Sequence, residues 1–318
     1  MRTSRRHACD DDNGGPLRVH GLLLLDKPRG LSSNTALQKA RRLLDADKAG
    51  HGGTLDPMAD GLLPVMFGEA CKLAESALEG DKAYEATVRL GQVTTTDDVE
   101  GEIVSTAPVA FTSEDLDAVL ARFRGRIVQV PPIYSALKVA GKALYKYARE
   151  GNPVEPAPRE VTIHELTLLE RFAGEEPALR VRVACSKGTY IRSLARDIGA
   201  ALGCGAHLSA LRRTVVGRFR VEAAVGLEAL AEMTPEDRHR KLVGLEQLVA
   251  DWPSVLLDQA AAGYFCQGRS VNLAYSVGCA APAQKIAVHC GGRLIGLGRS
   301  TPSTESTCVL APVRIIVS

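Results

Sequence analysis

Residues 49–65, AGHGGTLDPMADGLLPV, combine a carboxylate with a run of glycines and prolines. His51 precedes Asp56 in this stretch, and a second carboxylate, Asp60, follows it. Glycines let a substrate backbone or sugar approach closely and prolines stiffen a loop, so the stretch suits a catalytic carboxylate. A turn without chemistry fits the Asp-Pro pair equally well. A phosphate-binding P-loop is excluded because no Gly-Lys pair followed by Ser or Thr is present.

The segments before and within this stretch predict the elements that hold it. GLLLLDKPRG (21–30) places four leucines before Asp-Lys-Pro, which is typical of a short buried strand ending in a turn. A helix is predicted to begin near Ser32 or Ser33, either of which can cap it. The residues between Gly50 and Pro64 are predicted to form a loop, because repeated glycine and proline interrupt a helix.

Further along the chain, alternating apolar residues predict strands and amphipathic spacing predicts helices. YEATVRL (84–90) and ALRVRVACS (178–186) alternate with a period of two. Ser113 is predicted to cap one helix, and another is expected from about Tyr190 to Gly203. The elements follow no regular βαβ order, so the predicted fold class is α+β with a mostly antiparallel sheet flanked by helices.

The two ends of the chain are predicted to differ from its centre. Residues 1–19 carry an Arg-Arg pair followed by Asp-Asp-Asp-Asn, which indicates a flexible, solvated tail. The composition changes near residues 233–252, where we expect a linker. The segments KIAVHC, GRLIGLG and VRIIVS that follow are short and strand-like, and they predict a small β-rich module over about residues 255–318.

Overall composition excludes several classes of protein. The chain has 318 residues and a net charge of +2. Because 45% of the residues are hydrophobic, a packed core is expected. No apolar run reaches the roughly 20 residues that a membrane helix needs. The eight cysteines contain no CxxC pair, which predicts reduced thiols, no metal and a cytoplasmic location.

Basic residues collect in two segments despite the near-neutral total. Residues 122–149 hold seven Lys or Arg, no carboxylate and several interleaved aromatics, and residues 182–220 hold eight Lys or Arg against the single Asp197. Lys138, Lys142 and Lys146 have helical spacing and predict one cationic stripe. Cations bind phosphates and aromatic rings stack on unpaired bases, so the pattern favours single-stranded or looped RNA. The alternative is an ordinary solvated face with the tyrosines packed in the core.

Five segments, taken together, resemble the TruB family of tRNA pseudouridine-55 synthases in family order. GHGGTLDPMADGLLPVMFGEACK resembles its catalytic motif, and GLLLLDKPRGLSSN its N-terminal strand and turn. YEATVRLGQVTTTDDVEGE is similar to the segment with the active-site tyrosine, and QVPPIYSALKVAGKALYKYAREG to the RNA-gripping loop. CSKGTYIRSLARDIGAALGCGAHLSALRRTVVGRF is similar to the segment that closes the site.

The resemblance implies isomerisation of uridine 55 in the tRNA T-loop, with no metal or organic cofactor. Asp56 would be the nucleophile, attacking either the sugar C1′ or the uracil C6. Arg192 would keep that carboxylate ionised, although an arginine that contacts phosphate is the alternative. Tyr84 would stack on the flipped base, with a core tyrosine as the alternative. Tyr190 matches a second active-site tyrosine.

The remaining site residues are also implied by the resemblance. Leu211 would line the uracil pocket, and His51 would insert into the T-loop rather than act as a base. Lys72, Lys138 and Tyr134 are assigned to RNA binding. Asp60 departs from the family pattern, which often has a small or hydroxyl residue there. We expect Asp60 to face solvent and Asp60→Asn to leave substantial activity.

The implied organisation is a pseudouridine synthase domain over 20–245, with the RNA-gripping insertion at about 126–158, and a PUA-like domain over 250–318. Basic residues are sparse in the second domain, so its removal is expected to weaken tRNA binding without removing chemistry. The tRNA T-stem-loop is the expected partner of a monomer that needs no partner protein.

Three other functions are compatible with parts of the pattern. An RNA-binding protein without catalysis is disfavoured, because RNA binding alone does not require Asp56, Tyr84 and Arg192 together. A guide-dependent synthase is disfavoured because the chain has no long basic tails. A hydrolytic glycosidase would need two carboxylates flanking the scissile bond, for which Asp56 and Asp60 are a weak basis.

Overall fold

The structure, a computed structural model, describes residues 19–73, 80–135, 137–139, 141–274, 285–303 and 307–316. Of the expected tail, residues 1–18 lie outside the described residues, and Val19 is buried in the core.

The strands and helices are numbered here in chain order. The strands are β1 (Gly21–Lys27), β2 (Ala49–His51), β3 (Asp60–Phe67), β4 (Lys82–Leu90), β5 (Gln92–Thr94), β6 (Ile103–Thr106), β7 (Gly125–Gln129), β8 (Lys138–Val139), β9 (Lys142–Ala143), β10 (Arg159–Phe172), β11 (Ala178–Cys185), β12 (Ala206–Val216), β13 (Phe219–Arg220), β14 (Val225–Gly226), β15 (Leu242–Val243), β16 (Ser254–Leu256), β17 (Val271–Ala274), β18 (Lys285–Cys290), β19 (Arg293–Pro302) and β20 (Thr307–Ile315). The helices are α1 (Ser33–Leu43), α2 (Ser113–Arg122), α3 (Leu144–Arg149), α4 (Ile191–Ala201), α5 (Leu227–Glu232), α6 (Pro235–Arg240), α7 (Leu245–Leu248) and α8 (Gln259–Cys266).

A large mixed sheet forms the centre of the N-terminal part of the chain. Within the described residues it joins eleven strands along the path β14-β1-β3-β12-β4-β11-β10-β7, with β2, β13 and β15 at its sides. Its pairings are antiparallel except β1 with β14 and β3 with β12. The predicted α+β class with a mostly antiparallel sheet is therefore confirmed. At the start of the insertion expected over about 126–158, β7 pairs with β10 at the edge of this sheet.

Helices α1, α2, α4 and α5 share one apolar core with the strands of this sheet. Ser32 caps α1 as predicted, by accepting a hydrogen bond from the Thr35 amide. Thr112, not Ser113, caps α2, because its hydroxyl and Asp115 form a reciprocal capping box.

The C-terminal module is a separate five-stranded sheet in the order β16-β18-β19-β20-β17, covered by α8. The prediction of a β-rich module is thus confirmed. The predicted linker at 233–252 is wrong, because this segment holds α6, β15 and α7 and packs on the first domain. Leu242 and Val243 of β15 pair with Leu23 and Leu22 of β1. The linker was predicted from the charged residues of this segment, and its few apolar residues did not form a recognisable pattern.

An apolar cluster joins the two parts of the chain. Leu62 and Met66 of β3 share it with Leu294 and Leu297 of β19, and Trp252 packs against it. The other face of β3 is covered by the helical core, so this strand is buried on both faces. Glu246 completes the contact by accepting hydrogen bonds from the Leu294 amide, at 2.5 Å, and His289.

The predictions about thiols, metals and membranes can be compared with the described residues. Among the described residues, Cys71, Cys185, Cys204 and Cys290 carry free thiols. Cys308 is disulfide-bonded, which departs from the expectation of reduced thiols at this one position. Among these residues, no three His, Cys, Asp or Glu side chains are grouped to hold a metal ion. No helix in the described ranges is long and apolar enough to cross a membrane.

Leu297→Ala is expected to destabilise the whole chain. Leu297 is 1% exposed and lies in the shared cluster, so truncation should lower the free energy of unfolding by about 2–5 kcal/mol. Urea unfolding followed by fluorescence of Trp252, the single tryptophan, measures the change where the two parts meet. Leu256→Ala is the matched control, because Leu256 is 65% exposed and its loss should cost less than about 0.5 kcal/mol. Equal losses for the two variants would contradict the docked arrangement.

Candidate active site

The loop that carries Asp56 is short and tied down along its length. It spans residues 52–59, because β2 and β3 take up the rest of the predicted 50–64 loop. The Gly52 amide donates to the Pro64 carbonyl at 2.9 Å, and the Gly30 amide to the Pro57 carbonyl at 2.8 Å. Ser33 Oγ accepts from the Leu55 amide at 2.8 Å and donates to the Leu55 carbonyl at 2.9 Å. These bonds fix the backbone on both sides of Asp56.

Arg213 supports the start of the loop from below. Its side chain is buried and donates to the carbonyls of Gly53 at 3.0 Å, Thr54 at 3.4 Å and Leu62 at 2.8 Å. Gly61 permits this approach: its φ is +99°, and a Cβ there would lie 2.3 Å from the Arg213 carbonyl oxygen. Sequence reasoning assigned Arg213 no role, because only the parallel pairing of β12 with β3 brings it to the loop.

Asp56 forms an ion pair with Arg192 at the start of α4. Arg192 Nε lies 3.0 Å from Asp56 Oδ2, and the Asp56 side chain keeps 34% of its exposure while that of Arg192 keeps 7%. The remaining nitrogens of Arg192 donate to the Tyr134 carbonyl at 2.9 Å and the Thr96 carbonyl at 3.3 Å. Because all three nitrogens of this guanidinium have acceptors within the protein, the alternative of a phosphate contact does not fit.

Asp98 is a second carboxylate at the same arginine, and the sequence analysis missed it. Its Oδ2 lies 3.4 Å from Arg192 Nη1, and its side chain is 3% exposed. Its Oδ1 accepts from Thr96 Oγ1 at 2.6 Å and from the Glu100 amide at 3.0 Å. The available signal was the Asp-Asp pair in TTTDDVEGE. Arg192 therefore sits between an accessible carboxylate and a buried one.

The charges around Asp56 act on its pKa in opposite directions. Burial raises the pKa of Asp56, and the nearby negative charge of Asp98 raises it further. The cations of Arg192 and Lys27 oppose this, and the net pKa stays above the ordinary 3.8. Lys27 is itself fully buried and donates to the carbonyls of Pro28 and Leu31.

A cavity of about 320 Å³ opens above Asp56. It brings together five of the residues implied by the resemblance: Asp56, Tyr84, Tyr190, Arg192 and Leu211. Gln129 holds the backbone of Tyr190 with two hydrogen bonds, at 3.1 and 3.2 Å. Burial raises the pKa of Tyr84, and the positive charge of Arg213 opposes this. The ring of Tyr84 thus forms a buried, neutral wall of the cavity.

Two further polar side chains line this cavity and were not anticipated. Ser135 is 4% exposed, and within the described residues its hydroxyl has no hydrogen-bond partner. Lys82 is half-buried, and burial together with the charge of Arg213 lowers its pKa. Both groups are able to bind polar atoms of a ligand.

The other implied residues lie away from this cavity or contact it differently. His51 is half-buried at the end of β2, and burial lowers its pKa. Tyr134 contributes its carbonyl to Arg192. Lys138 is exposed on β8. The amine of Lys72 binds Glu69 at 2.6 Å and the Ile315 carbonyl at 2.8 Å, where the two parts of the chain meet.

The two basic segments also differ from their prediction. Lys138 and Lys142 lie in the β8–β9 hairpin and Lys146 in α3, so the helical stripe is not formed. In residues 182–220 most of the arginines have protein partners, which are carboxylates for Arg182, Arg192, Arg196, Arg212 and Arg218 and carbonyls for Arg213. Most of the positive charge in this second segment is therefore paired within the protein and is not free to bind a ligand.

Asp60 does not simply face solvent, which corrects the expectation for this residue. Its side chain is 16% exposed and pairs with Arg29 at 2.8 Å and Arg212 at 2.9 Å. Asp60 therefore links the end of the loop that carries Asp56 to Arg29 and Arg212.

Substitutions at the two neighbours of Asp56 should move its pKa in opposite directions. Arg192→Gln removes a cation that lowers the pKa of Asp56 and should raise it, whereas Asp98→Asn removes a repulsive charge and should lower it. A ¹³C NMR titration of the Asp carboxyl carbons measures both shifts, and Asp56→Asn identifies the resonance. Shifts in the same direction for both variants would contradict this electrostatic arrangement.

Known proteins resemble this chain over nearly its full length. The family model "TruB family pseudouridylate synthase (N terminal domain)" matches residues 41–191. Two C-terminal models, "tRNA pseudouridylate synthase B C-terminal domain" and "Pseudouridine synthase II TruB, C-terminal", match residues 192–255 and 253–316.

Individual relatives agree with the family models. A tRNA pseudouridine synthase B from Azoarcus sp. (strain BH72) is 53% identical over 94% of this chain and 96% of the relative. One from Burkholderia lata is 51% identical over 94% of this chain and 91% of the relative. A crystal structure of a Cbf5-Nop10-Gar1 complex contains a chain with a TM-score of 0.70 and 25% identity, covering 93% of this chain and 85% of the other. The chain belongs to the TruB family of pseudouridylate synthases.

Proposed function

We propose that this protein isomerises uridine 55 in the T-loop of tRNA to pseudouridine, with Asp56 as nucleophile. The observation that carries the proposal is the Asp56 carboxylate, one-third exposed and held by Arg192, at a cavity walled by Tyr84 and Leu211. The choice of tRNA is supported by relatives named tRNA pseudouridine synthase B. Cytoplasmic tRNA would be the substrate.

The reaction needs a carboxylate but no electron transfer or donated group. The bond between C1′ and N1 of uridine breaks, the uracil turns, and a bond between C1′ and C5 forms. C5 loses its proton and N1 gains one, so the product has the same atoms as the substrate. Arg192 Nε lies 3.0 Å from Oδ2 of Asp56, and a single carboxylate oxygen suffices for attack. That attack is at either C1′ or C6, and both remain in the proposal.

The cavity suits an extruded base. A base must leave its stack before an enzyme can reach its sugar bond, and an aromatic face compensates for the lost stacking. Tyr84 would provide that face and Leu211 the apolar wall opposite a planar pyrimidine. Tyr190 lies beside Arg192, where it would border the ribose.

The proposed RNA contacts lie outside the lining of this cavity. Burial lowers the pKa of His51 and so favours the neutral imidazole, which fits insertion among bases better than an ion pair with phosphate. Lys138 is exposed near the cavity segment that holds Tyr134, and we retain both as RNA contacts. We divide the chain at about residue 250 into a catalytic domain and a PUA-like domain with a modest share of the RNA contact.

We further propose that the protein acts as a monomer without a partner protein. This distinguishes it from the solved Cbf5, which is found in a complex with Nop10 and Gar1. Turnover of an isolated T-stem-loop by the purified chain, with no guide RNA or added protein, separates this proposal from a guide-dependent activity.

Wild-type protein should release tritium from a T-stem-loop that carries [5-³H]uridine at position 55. Tritium leaves C5 only when the new carbon–carbon bond forms there, so an RNA-binding protein without catalysis gives no signal. Asp56→Asn should reduce release by at least about 10⁴-fold while the RNA dissociation constant changes little, because only the nucleophile is lost.

Asp251→Asn is the matched control for this experiment. Asp251 is 75% exposed and pairs with Arg218 far along the chain, so its loss should leave tritium release unchanged. Release from a label at another loop uridine, but not at position 55, would contradict the proposed position. Release by Asp56→Asn at the wild-type rate would contradict the proposed nucleophile.

A further inference from the structure

Asp60 closes the loop that carries Asp56 and is held by two arginines. Its Oδ2 accepts from Arg29 Nε at 2.8 Å, and its Oδ1 accepts from Arg212 Nη1 at 2.9 Å. As the first residue of β3, it marks the point where the loop joins the sheet. A carboxylate that accepts two charge-assisted hydrogen bonds is strongly oriented.

Arg212 extends the connection to a third strand. Its Nη1 and Nη2 donate to Asp26 Oδ1 at 3.1 Å and Oδ2 at 2.8 Å, in a bidentate arrangement. Asp26 lies near the end of β1, and Arg212 is directly opposite Asp60 in the parallel pairing of β12 with β3. The three strands are thus joined by side chains at the end of the sheet from which the loop leaves.

Neighbouring arginines on β12 hold the two ends of the loop. Successive side chains of a strand point to opposite faces, so Arg212 and Arg213 reach different sides of the sheet. Arg213 holds the start of the loop through Gly53 and Thr54. Arg212 holds its end through Asp60. Asp56 lies between these two attachments.

Asp60 also acts on Asp56 electrically, through Lys27. The negative charge of Asp60 is the largest influence that raises the pKa of the buried Lys27 amine against the effect of burial. The Lys27 cation in turn lowers the pKa of Asp56. Removing the charge of Asp60 therefore favours neutral Lys27 and makes Asp56 harder to ionise.

We propose that Asp60 is a positioning residue of this enzyme, which Arg212 and Arg29 hold so that it fixes the end of the 52–59 loop and the Asp56 carboxylate. This inference rests on the proposed function of Asp56. It replaces the expectation that Asp60→Asn leaves substantial activity. Several charged or titratable groups influence Asp56 or Lys27 and must stay unchanged in the test: Arg192, Asp98, Glu100, Tyr84 and Arg213.

The test measures single-turnover tritium release by Asp60→Asn at saturating T-stem-loop, across pH, together with RNA affinity. The rate should fall about ten-fold, since small displacements of a reacting group have effects of this size or larger. RNA affinity should stay within about two-fold, because Asp60 contacts protein groups. The acid-side fall of the rate should move to higher pH, since Asp56 must be deprotonated and its pKa rises. Asp60→Glu, which keeps the charge, should recover part of the rate and the wild-type pH profile.

Arg212→Gln tests the same connection from its other end. If the two residues act together, the double variant should lose little more rate than either single variant. Glu170→Gln is the matched control, because it neutralises a surface ion pair with Arg180 on the same sheet and should change neither rate nor pH profile.

Three outcomes would overturn the inference. Asp60→Asn would show a purely structural role if the variant folds, melts at a lower temperature and keeps the wild-type rate and pH profile. A loss confined to RNA affinity would show an RNA contact. Fully additive losses with Arg212→Gln would show independent residues. Absence of tritium release from wild-type protein would instead remove the proposed function, so the two failures are distinguishable.

Discussion

The ion pair between Arg192 and Asp56 is the interaction on which the site depends. A carboxylate at a cavity large enough for a base loses water, and this desolvation favours its neutral form. The guanidinium opposes that effect, but Arg192 is itself buried and needs acceptors of its own. Asp98 and the carbonyls of Thr96 and Tyr134 supply them. Arg192 is held in place between the carboxylates of Asp56 and Asp98, and Asp56 remains accessible.

The antiparallel sheet brings the remaining walls of the cavity to this ion pair. In the pairing of β4 with β12, Tyr84 lies opposite Arg213 and Ala86 opposite Leu211. Residues two apart on a strand share a face, so Tyr84 and Leu211 reach the cavity together. A register shift of one residue would turn Leu211 away from it. The same register carries Arg213 under the loop, so the pairing that forms this wall of the cavity also supports the loop that holds Asp56.

The sequence predicted the parts of this arrangement that depend on local pattern. Alternating residues identified β4 and β11, and the motif around Asp56 identified the loop. Asp98 and Arg213 were missed because their importance comes from contacts with residues far away in sequence. Counting charges failed for residues 182–220, because a composition does not reveal which arginines have carboxylate partners inside the fold. Asp60 was misjudged for the same reason: its partner Arg212 is 152 residues away.

The position of β3 also changes how the C-terminal module should be understood. Leu62 and Met66 of this strand pack against the module, while the strand begins at Asp60, just after the loop. Removing the module would expose one face of the strand that anchors Asp56, in addition to removing any RNA contact. A truncated protein that loses turnover therefore does not reveal how much RNA the module binds. Substitutions on the exposed surface of the module separate the two effects, because they leave the apolar cluster intact.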